Sequence, residues 1–146
     1  MKRVLGIAAL GLAVVASPAV SQPPAIAEVS DADHAAISEL SQEFFDRVEA
    51  IGVEQAMIQT FSDAMEVNAP QMIEIYRDID QNCATMSGVE LVRSTDFGSR
   101  VARRTYVTRQ GNCFIKWEFM FVKRGFAWSY EGFHFETLNG NNWSYK

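Results

Sequence analysis

The sequence predicts a single α+β domain in which three N-terminal helices pack on a curved, four-stranded antiparallel meander. Apolar residues recur every three or four positions before Gly88, and glycine-separated runs rich in Val, Thr and aromatic residues follow it. Residues 22–88 carry 13 acids, two bases and four aromatics, whereas residues 89–146 carry five acids, nine bases and 13 aromatics. Helices with apolar stripes cover one aromatic sheet face, so the two halves form two layers of one domain.

The first 21 residues have the pattern of a bacterial export signal. Lys2 and Arg3 precede an apolar run over residues 4–16, and Ala19-Val20-Ser21 matches the small-any-small rule for cleavage. The run is shorter than the roughly 18 residues that a membrane-spanning helix needs. We expect cleavage after residue 21, with cleavage after residue 19 or 27 as alternatives. The mature chain, with 11 bases and 18 acids, would then carry a net charge near −7 and be periplasmic or secreted, without a membrane span.

The rest of the chain divides into a leader, a domain and a tail. Residues 22–30, which contain Pro23-Pro24, are predicted to be a loose leader, residues 31–138 a single domain, and residues 139–146 a C-terminal tail. A body of about 125 residues is a usual size for one domain and buries roughly two thirds of its unfolded surface. A core can therefore form without a metal.

Three segments of the acidic half are predicted to be helices. The first begins after Ser30 or Asp31 and ends at Gly52, the second covers the apolar stripe at 53–65, and the third runs from near Pro70 to about Asp80. The apolar face of the first helix consists of Ile37, Leu40, Phe44, Val48 and Ile51, with Ser41 and Phe45 alongside.

Glycines at 98, 111, 125 and 140 separate four predicted strands, near residues 89–97, 100–110, 113–123 and 126–138. Side chains alternate between the two faces of a strand. In the third strand this alternation sends one set of residues to the core, namely Cys113, Ile115, Trp117, Phe119 and Phe121. The other set, namely Phe114, Lys116, Glu118 and Met120, faces outward.

The fourth strand requires an irregularity. Strict alternation would place Trp128 and Tyr130 on the face opposite to Phe133 and Phe135. A bulge at Glu131-Gly132 returns all four rings to the core face, and a glycine inside a strand is a usual place for a bulge. We therefore predict a bent sheet.

The two cysteines are predicted to form a disulfide. An exported chain that contains only Cys83 and Cys113 favours oxidation of the pair, and the bridge would close a loop of about 30 residues, for roughly 3 to 4 kcal/mol of stability. A pair of buried thiols is the alternative.

With these elements in place, the chain resembles the cone-shaped nuclear-transport-factor-2-like superfamily, and within it the small exported bacterial proteins of unassigned function. The resemblance covers roughly residues 33–138. It depends on the runs Arg103-Arg104-Thr105-Tyr106, Trp117-Glu118-Phe119-Met120-Phe121 and Trp128-Ser129-Tyr130-Glu131-Gly132-Phe133-His134-Phe135. It implies a pocket between the concave sheet face and the helices, which such proteins use as isomerases, dehydratases, cyclases or non-catalytic binding modules. The fold itself does not select among these functions.

The main functional hypothesis is a non-catalytic module, without a cofactor, that binds a small apolar or amphipathic molecule or a partner protein. Its aromatic-lined pocket is predicted at Tyr106, Trp117, Trp128, Tyr130 and Phe133. Arg103 or Arg104, whichever faces inward, would meet an anionic group of the ligand at the mouth of the cone, and Arg104 is assigned to the pocket.

Two other functions compete with this hypothesis. An isomerase or dehydratase would need a carboxylate base with Tyr106 or Tyr130 as oxyanion donor, but Glu118 is predicted to face away and Glu131 to lie at the bulge. An assembly protein would use the mixed outer sheet face around Phe114 for contacts such as those of a homodimer.

Other chemistry is disfavoured. The sequence lacks HExxH, GxSxG, phosphate-loop and CxxC motifs. His34 is predicted to be a solvated residue at a helix start and His134 a residue of the outer sheet face. Because the two histidines are far apart in the sequence, no metal site is expected. Aromatic residues among the sheet arginines could bind single-stranded nucleic acid. The net charge argues against nucleic acid, and we expect the basic sheet to complement the acidic helices instead.

Overall fold

The computed structural model of the protein describes residues 27–62 and 69–138. Its elements, in chain order, are α1 (Asp31–Thr60), α2 (Pro70–Asn82), β1 (Met86–Asp96), β2 (Val101–Gln110), β3 (Cys113–Arg124) and β4 (Ala127–Thr137). The four strands form one antiparallel sheet in the order β1-β2-β3-β4, which confirms the α+β meander. Within the described ranges, no helix has the length and apolar character to cross a membrane. The predicted signal segment and tail lie outside the described residues.

The prediction of three separate helices is wrong, because the first two form the single element α1. Gly52 leaves the helical conformation, with φ 83° and ψ 169°, and so does break the helix as predicted. The helix resumes at once because the carboxylate of Asp80, on α2, accepts the N–H groups of Val53 and Glu54 at 2.6 and 2.9 Å. A side chain from α2 thus supplies the cap that a new helix would otherwise need from its own preceding residue.

The predicted disulfide is present. Cys83, just after α2, and Cys113, at the start of β3, are joined by an Sγ–Sγ bond with their Cα atoms 5.7 Å apart. The bridge ties the end of the helical layer to the middle of the sheet.

The predicted bulge in β4 is also present. Met120 of β3 pairs with Gly132, but the next residue, Phe121, pairs with Tyr130, so that Glu131 is the extra residue. A similar shift occurs in β1, where Leu91 pairs with Tyr106 and Arg93 with Thr105 of β2, which leaves Val92 as the extra residue.

The core lies between α1 and the inner face of the sheet. The side chains predicted to face inward on β3 are buried from Ile115 to Phe121, whereas their neighbours are partly or fully exposed, so the predicted facing is confirmed. The ring centre of Phe44 lies 5.3 Å from that of Trp117 and 5.2 Å from that of Phe119. Val29, in the predicted leader, is also part of this core.

Candidate functional site

Aromatic rings occupy the interior where the pocket was predicted. Phe44 and Trp117 have no exposed surface, and Phe61 packs against Phe133 and Tyr130 with ring centres 4.6 and 5.0 Å apart. Tyr76, from α2, is also fully buried. Helix side chains therefore fill the space between the two layers at these positions.

The predicted pocket residues make internal contacts. Trp117 donates its Nε1–H to the Thr108 hydroxyl at 2.9 Å, and Tyr130 donates its hydroxyl to the Leu40 carbonyl at 2.7 Å. Burial raises the pKa of both Tyr106 and Tyr130 above the ordinary tyrosine value, so both phenols stay neutral. Contact of these side chains with a ligand stays a prediction.

Arg104 does face inward, as one alternative required, but a carboxylate of the chain already meets it. Its side chain is 4% exposed, and the guanidinium donates through Nη1 to Asp96 Oδ1 and through Nη2 to His34 Nδ1, both at 2.8 Å. Because arginine is always protonated, the Nδ1 atom of His34 must be the acceptor. The other ring nitrogen, Nε2, lies 3.4 Å from Asp96 Oδ2. His34 does lie at the start of α1, as predicted, and its side chain is 39% exposed, but the sequence did not reveal that both ring nitrogens have partners.

Asp33 lies beside this group and joins the start of α1 to β3 and β4. Its Oδ1 atom accepts from Lys123 Nζ at 2.6 Å and from Trp128 Nε1 at 2.8 Å, while its Oδ2 atom accepts from the Ser30 hydroxyl at 2.8 Å. These bonds, with that of Lys123 the strongest influence, hold the pKa of Asp33 well below its usual range.

The two groups together form the rim cluster, namely Ser30, Asp33, His34, Asp96, Arg104, Lys123 and Trp128. The cluster contains a histidine beside a carboxylate, as a general base would require. Both ring nitrogens of His34 already have partners, and so does each oxygen of Asp33. The arrangement fastens the first turn of α1 to the sheet.

The enzyme hypothesis requires a carboxylate base in the interior, beside a tyrosine. The buried polar side chains of the described residues are Ser41, Arg104, Thr105, Thr108 and Gln110, and no carboxylate is among them. Glu118 lies 3.9 Å from Arg103, with 37% of its side chain exposed, and Glu131 pairs with Arg124. The described ranges also contain no group of three His, Cys, Asp or Glu side chains that could hold a metal ion.

An open depression lies between α2 and the free edge of β4, and we call it the β4 groove. It has a volume of about 540 Å³ and is lined by Met72, Ile75, Phe133, His134, Phe135, Glu136 and Thr137. Ile75 is 45% exposed, and Phe133 and Phe135 are half-buried. The groove therefore presents accessible apolar surface from four residues beside the polar side chains of His134, Glu136 and Thr137.

The backbone of β4 contributes polar groups to this groove. The N–H group of Leu138 donates a hydrogen bond to the carbonyl of Phe114 at 2.7 Å. This bond identifies which residues of β4 form backbone hydrogen bonds with β3. In an antiparallel pair the bonded residues alternate, so the backbone groups of Phe133, Phe135 and Thr137 point away from β3. Because β4 is an edge strand of the described sheet, these groups face the groove side.

A second depression, of about 250 Å³, lies near the helix break, where Gly52, Asp80 and Gln110 contribute to its lining. The Nε2 atom of Gln110 is buried there and has no hydrogen-bond partner among the described residues. The Tyr76 hydroxyl is likewise buried without a partner, and burial raises the pKa of Tyr76 to about 12. This depression is smaller than the β4 groove.

The charged residues of the sheet pair mainly with one another. Lys116 pairs with Glu136 and Arg124 with Glu131, both within the sheet. The basic sheet was expected to pair with the acidic helices, and this expectation is only partly correct. The Lys123–Asp33 bridge does join the two layers, but the other two pairs lie within the sheet. His134 is exposed on β4, opposite Glu118, as predicted for the outer face.

The fold can be compared with known proteins. A scan against protein-family models and a search of curated proteins each found no match. A solved structure that the chain resembles is an NTF2-like protein of unknown function from Methylobacillus flagellatus KT, with 20% sequence identity and a TM-score of 0.51. The match covers 76% of this chain and 96% of that chain. The predicted nuclear-transport-factor-2-like fold is therefore confirmed, and at this identity the similarity concerns the fold alone.

Proposed function

We propose that the protein is a non-catalytic binding module that holds a small amphipathic molecule in the β4 groove. The observation that carries this proposal is the accessible apolar surface of the groove. Aromatic rings fill the interior of the fold, but Phe133 and Phe135 are only half-buried and line the groove. Its volume of about 540 Å³ falls within the usual size of a small-molecule site, which is roughly 300 to 1,000 Å³.

The two walls of the groove suit an amphipathic ligand. Met72 and Ile75 on one side and Phe133 and Phe135 on the other would contact an apolar body. The Thr137 hydroxyl and the outward backbone groups of β4 would supply hydrogen bonds to a polar head. Few polar groups on a mostly apolar surface are typical of such sites.

A dye titration tests the proposal. The amphipathic dye 1-anilinonaphthalene-8-sulfonate should bind the folded protein and quench tryptophan emission, because the ring of Trp117 stacks on that of Phe135 at 5.4 Å. Ile75→Glu places a charge in the groove and should weaken dye binding by about tenfold or more. Ile51→Glu is the matched control, since Ile51 is similarly exposed, at 43%, but lines the second depression. Equal dye affinity of the two variants would remove the β4 groove as the site.

A partner protein that adds a strand to β4 is the second candidate, which the outward backbone groups of this edge favour. The probe is an array of extended peptides with alternating apolar residues. Thr137→Pro removes one outward N–H, so it should weaken capture of such peptides. Peptide capture that is insensitive to this change would exclude strand addition.

We further propose that the protein works outside the cytoplasm, after loss of residues 1–21. The disulfide between Cys83 and Cys113 supports this location, because disulfides persist in oxidising compartments. The intact mass of the protein isolated from its host should lack the signal segment, and a mass that includes residues 1–16 would contradict the proposal.

A further inference from the structure

The strand β1, at the opposite edge of the described sheet, has partly exposed apolar side chains. Val89 is 38% exposed, Leu91 49% and Val92 50%. In the described part of the chain, β1 has β2 as its one neighbouring strand. An edge strand with unpaired backbone groups and exposed apolar residues is a template for another strand.

The irregularity at Val92 changes which residues of β1 share a sheet face. Leu91 lies opposite Tyr106 and faces inward, whereas Arg93 lies opposite Thr105 and faces outward with it. Glu90, opposite Val107, also faces outward. Val89, Leu91 and Ser94 therefore face inward, Glu90 and Arg93 face outward, and Val92 is the bulge residue. About the midpoint between Leu91 and Val92, Glu90 and Arg93 both face outward and Val89 and Ser94 both face inward, so the extra residue makes these two pairs symmetric.

We propose that a second copy of this chain adds its β1 to this edge, antiparallel, about a two-fold axis between Leu91 and Val92. In this register Glu90 faces the partner's Arg93, and Arg93 faces the partner's Glu90. Leu91 faces the partner's Val92, which covers apolar surface of both copies. A two-fold interface requires such self-complementarity, because each contact occurs twice.

The charges select this register over its neighbours. A two-fold axis through Glu90 would place the two Glu90 side chains opposite each other, and an axis through Arg93 would do the same for the arginines. Opposite like charges destabilise an antiparallel pair. Because Glu90 and Arg93 complement each other only across this axis, the pattern favours a second copy over an unrelated strand. The inference is independent of the proposed function, since the β4 groove lies at the other edge of the sheet.

Charge exchange tests the proposal on the mature protein with its disulfide intact. Sedimentation equilibrium should show a dimer for the wild type. Glu90→Arg and Arg93→Glu each create two like-charge pairs per dimer and should raise the dimer Kd by about tenfold or more. The double variant Glu90→Arg/Arg93→Glu restores both pairs in reverse and should return the Kd to near the wild-type value.

Arg109→Glu, on β2, is the matched control, because it makes the same charge change at an exposed residue outside the proposed interface. Its dimer Kd should stay near that of the wild type. Thermal melts of all variants show whether each one folds. A wild type that stays monomeric up to its solubility limit would overturn the proposal. So would single variants that dimerise like the wild type, as they would if copies met through the outer face around Phe114, or a double variant as weak as the singles.

Discussion

Replacing Gly52 with alanine should destabilise the protein far more than an ordinary surface substitution. Gly52 has φ 83° and ψ 169°, a region that is essentially restricted to glycine. A Cβ atom added there would lie 2.9 Å from Oδ2 and 3.0 Å from Oδ1 of Asp80. The change therefore strains the backbone and also displaces the carboxylate that caps the second part of α1.

The magnitude follows from these two effects. A side chain in this conformational region costs about 1 to 3 kcal/mol. Loss of the Asp80 cap on Val53 and Glu54 adds about 0.5 to 2 kcal/mol, as for other helix caps. Gly52→Ala should therefore cost about 1.5 to 5 kcal/mol, and Asp80→Ala alone about 0.5 to 2 kcal/mol.

The double variant isolates the collision. Once Asp80→Ala has removed the carboxylate, the alanine at position 52 meets no oxygen and has no cap left to displace. The double variant should thus lose less stability than the sum of the singles, by about 1 kcal/mol.

Urea unfolding of the oxidised protein, followed by circular dichroism, measures these differences. Gly88→Ala is the control, because its added Cβ would meet nothing within 4 Å, and it should change stability by less than about 0.5 kcal/mol. The reasoning fails if Gly52→Ala is no more destabilising than Gly88→Ala, or if the costs of Gly52→Ala and Asp80→Ala simply add.

Two further predictions concern the core and the rim cluster. Trp117→Ala should cost about 3 to 5 kcal/mol in urea melts and Lys116→Ala about 0.5 kcal/mol or less, and similar losses at the two neighbours would contradict the facing of β3. Because the native pKa of Asp33 is lowered, its charge stabilises the fold above the unfolded pKa of about 3.9, and this contribution is lost as the pH falls further towards the native value. The Tm difference between wild type and Asp33→Asn should therefore be largest near neutral pH and shrink below about pH 4; a constant difference would refute this.

Features that depend on neighbouring residues could be predicted from the sequence. The alternation along β3 and the bulge at Glu131 follow from a period of two and one interior glycine, and both are present. The break at Gly52 and a second helical segment after it were also predicted, but the cap that lets the helix resume at once was not. It depends on Asp80, which lies 27 residues along the chain from Val53. A cap supplied from another helix leaves no signal in the sequence around the break.

Features that depend on packing between layers could not be predicted. The sequence shows that Trp117 and Tyr130 face inward, but not that Phe44 and Phe61 have the volume and position to fill the space beside them. The partner of Arg104 could not be inferred either, because it requires the strand register that brings Asp96 beside it. The β4 groove depends on the distance between α2 and β4, which no local pattern encodes.

The separation of charge between the two layers gives the molecule a permanent electric dipole. Residues 27–62 and 69–88 carry 11 acids and two bases, whereas residues 89–138 carry five acids and eight bases. The sheet's own ion pairs leave this imbalance in place, and Lys123–Asp33 offsets only a little of it. The molecule should turn its sheet layer towards an anionic surface and its helices towards a cationic one, over distances set by a Debye length of about 8 Å at physiological salt. In the proposed dimer, residues that lie opposite each other share a face of the joined sheet. Both helix layers therefore lie on the same side of that sheet, and the two dipoles add.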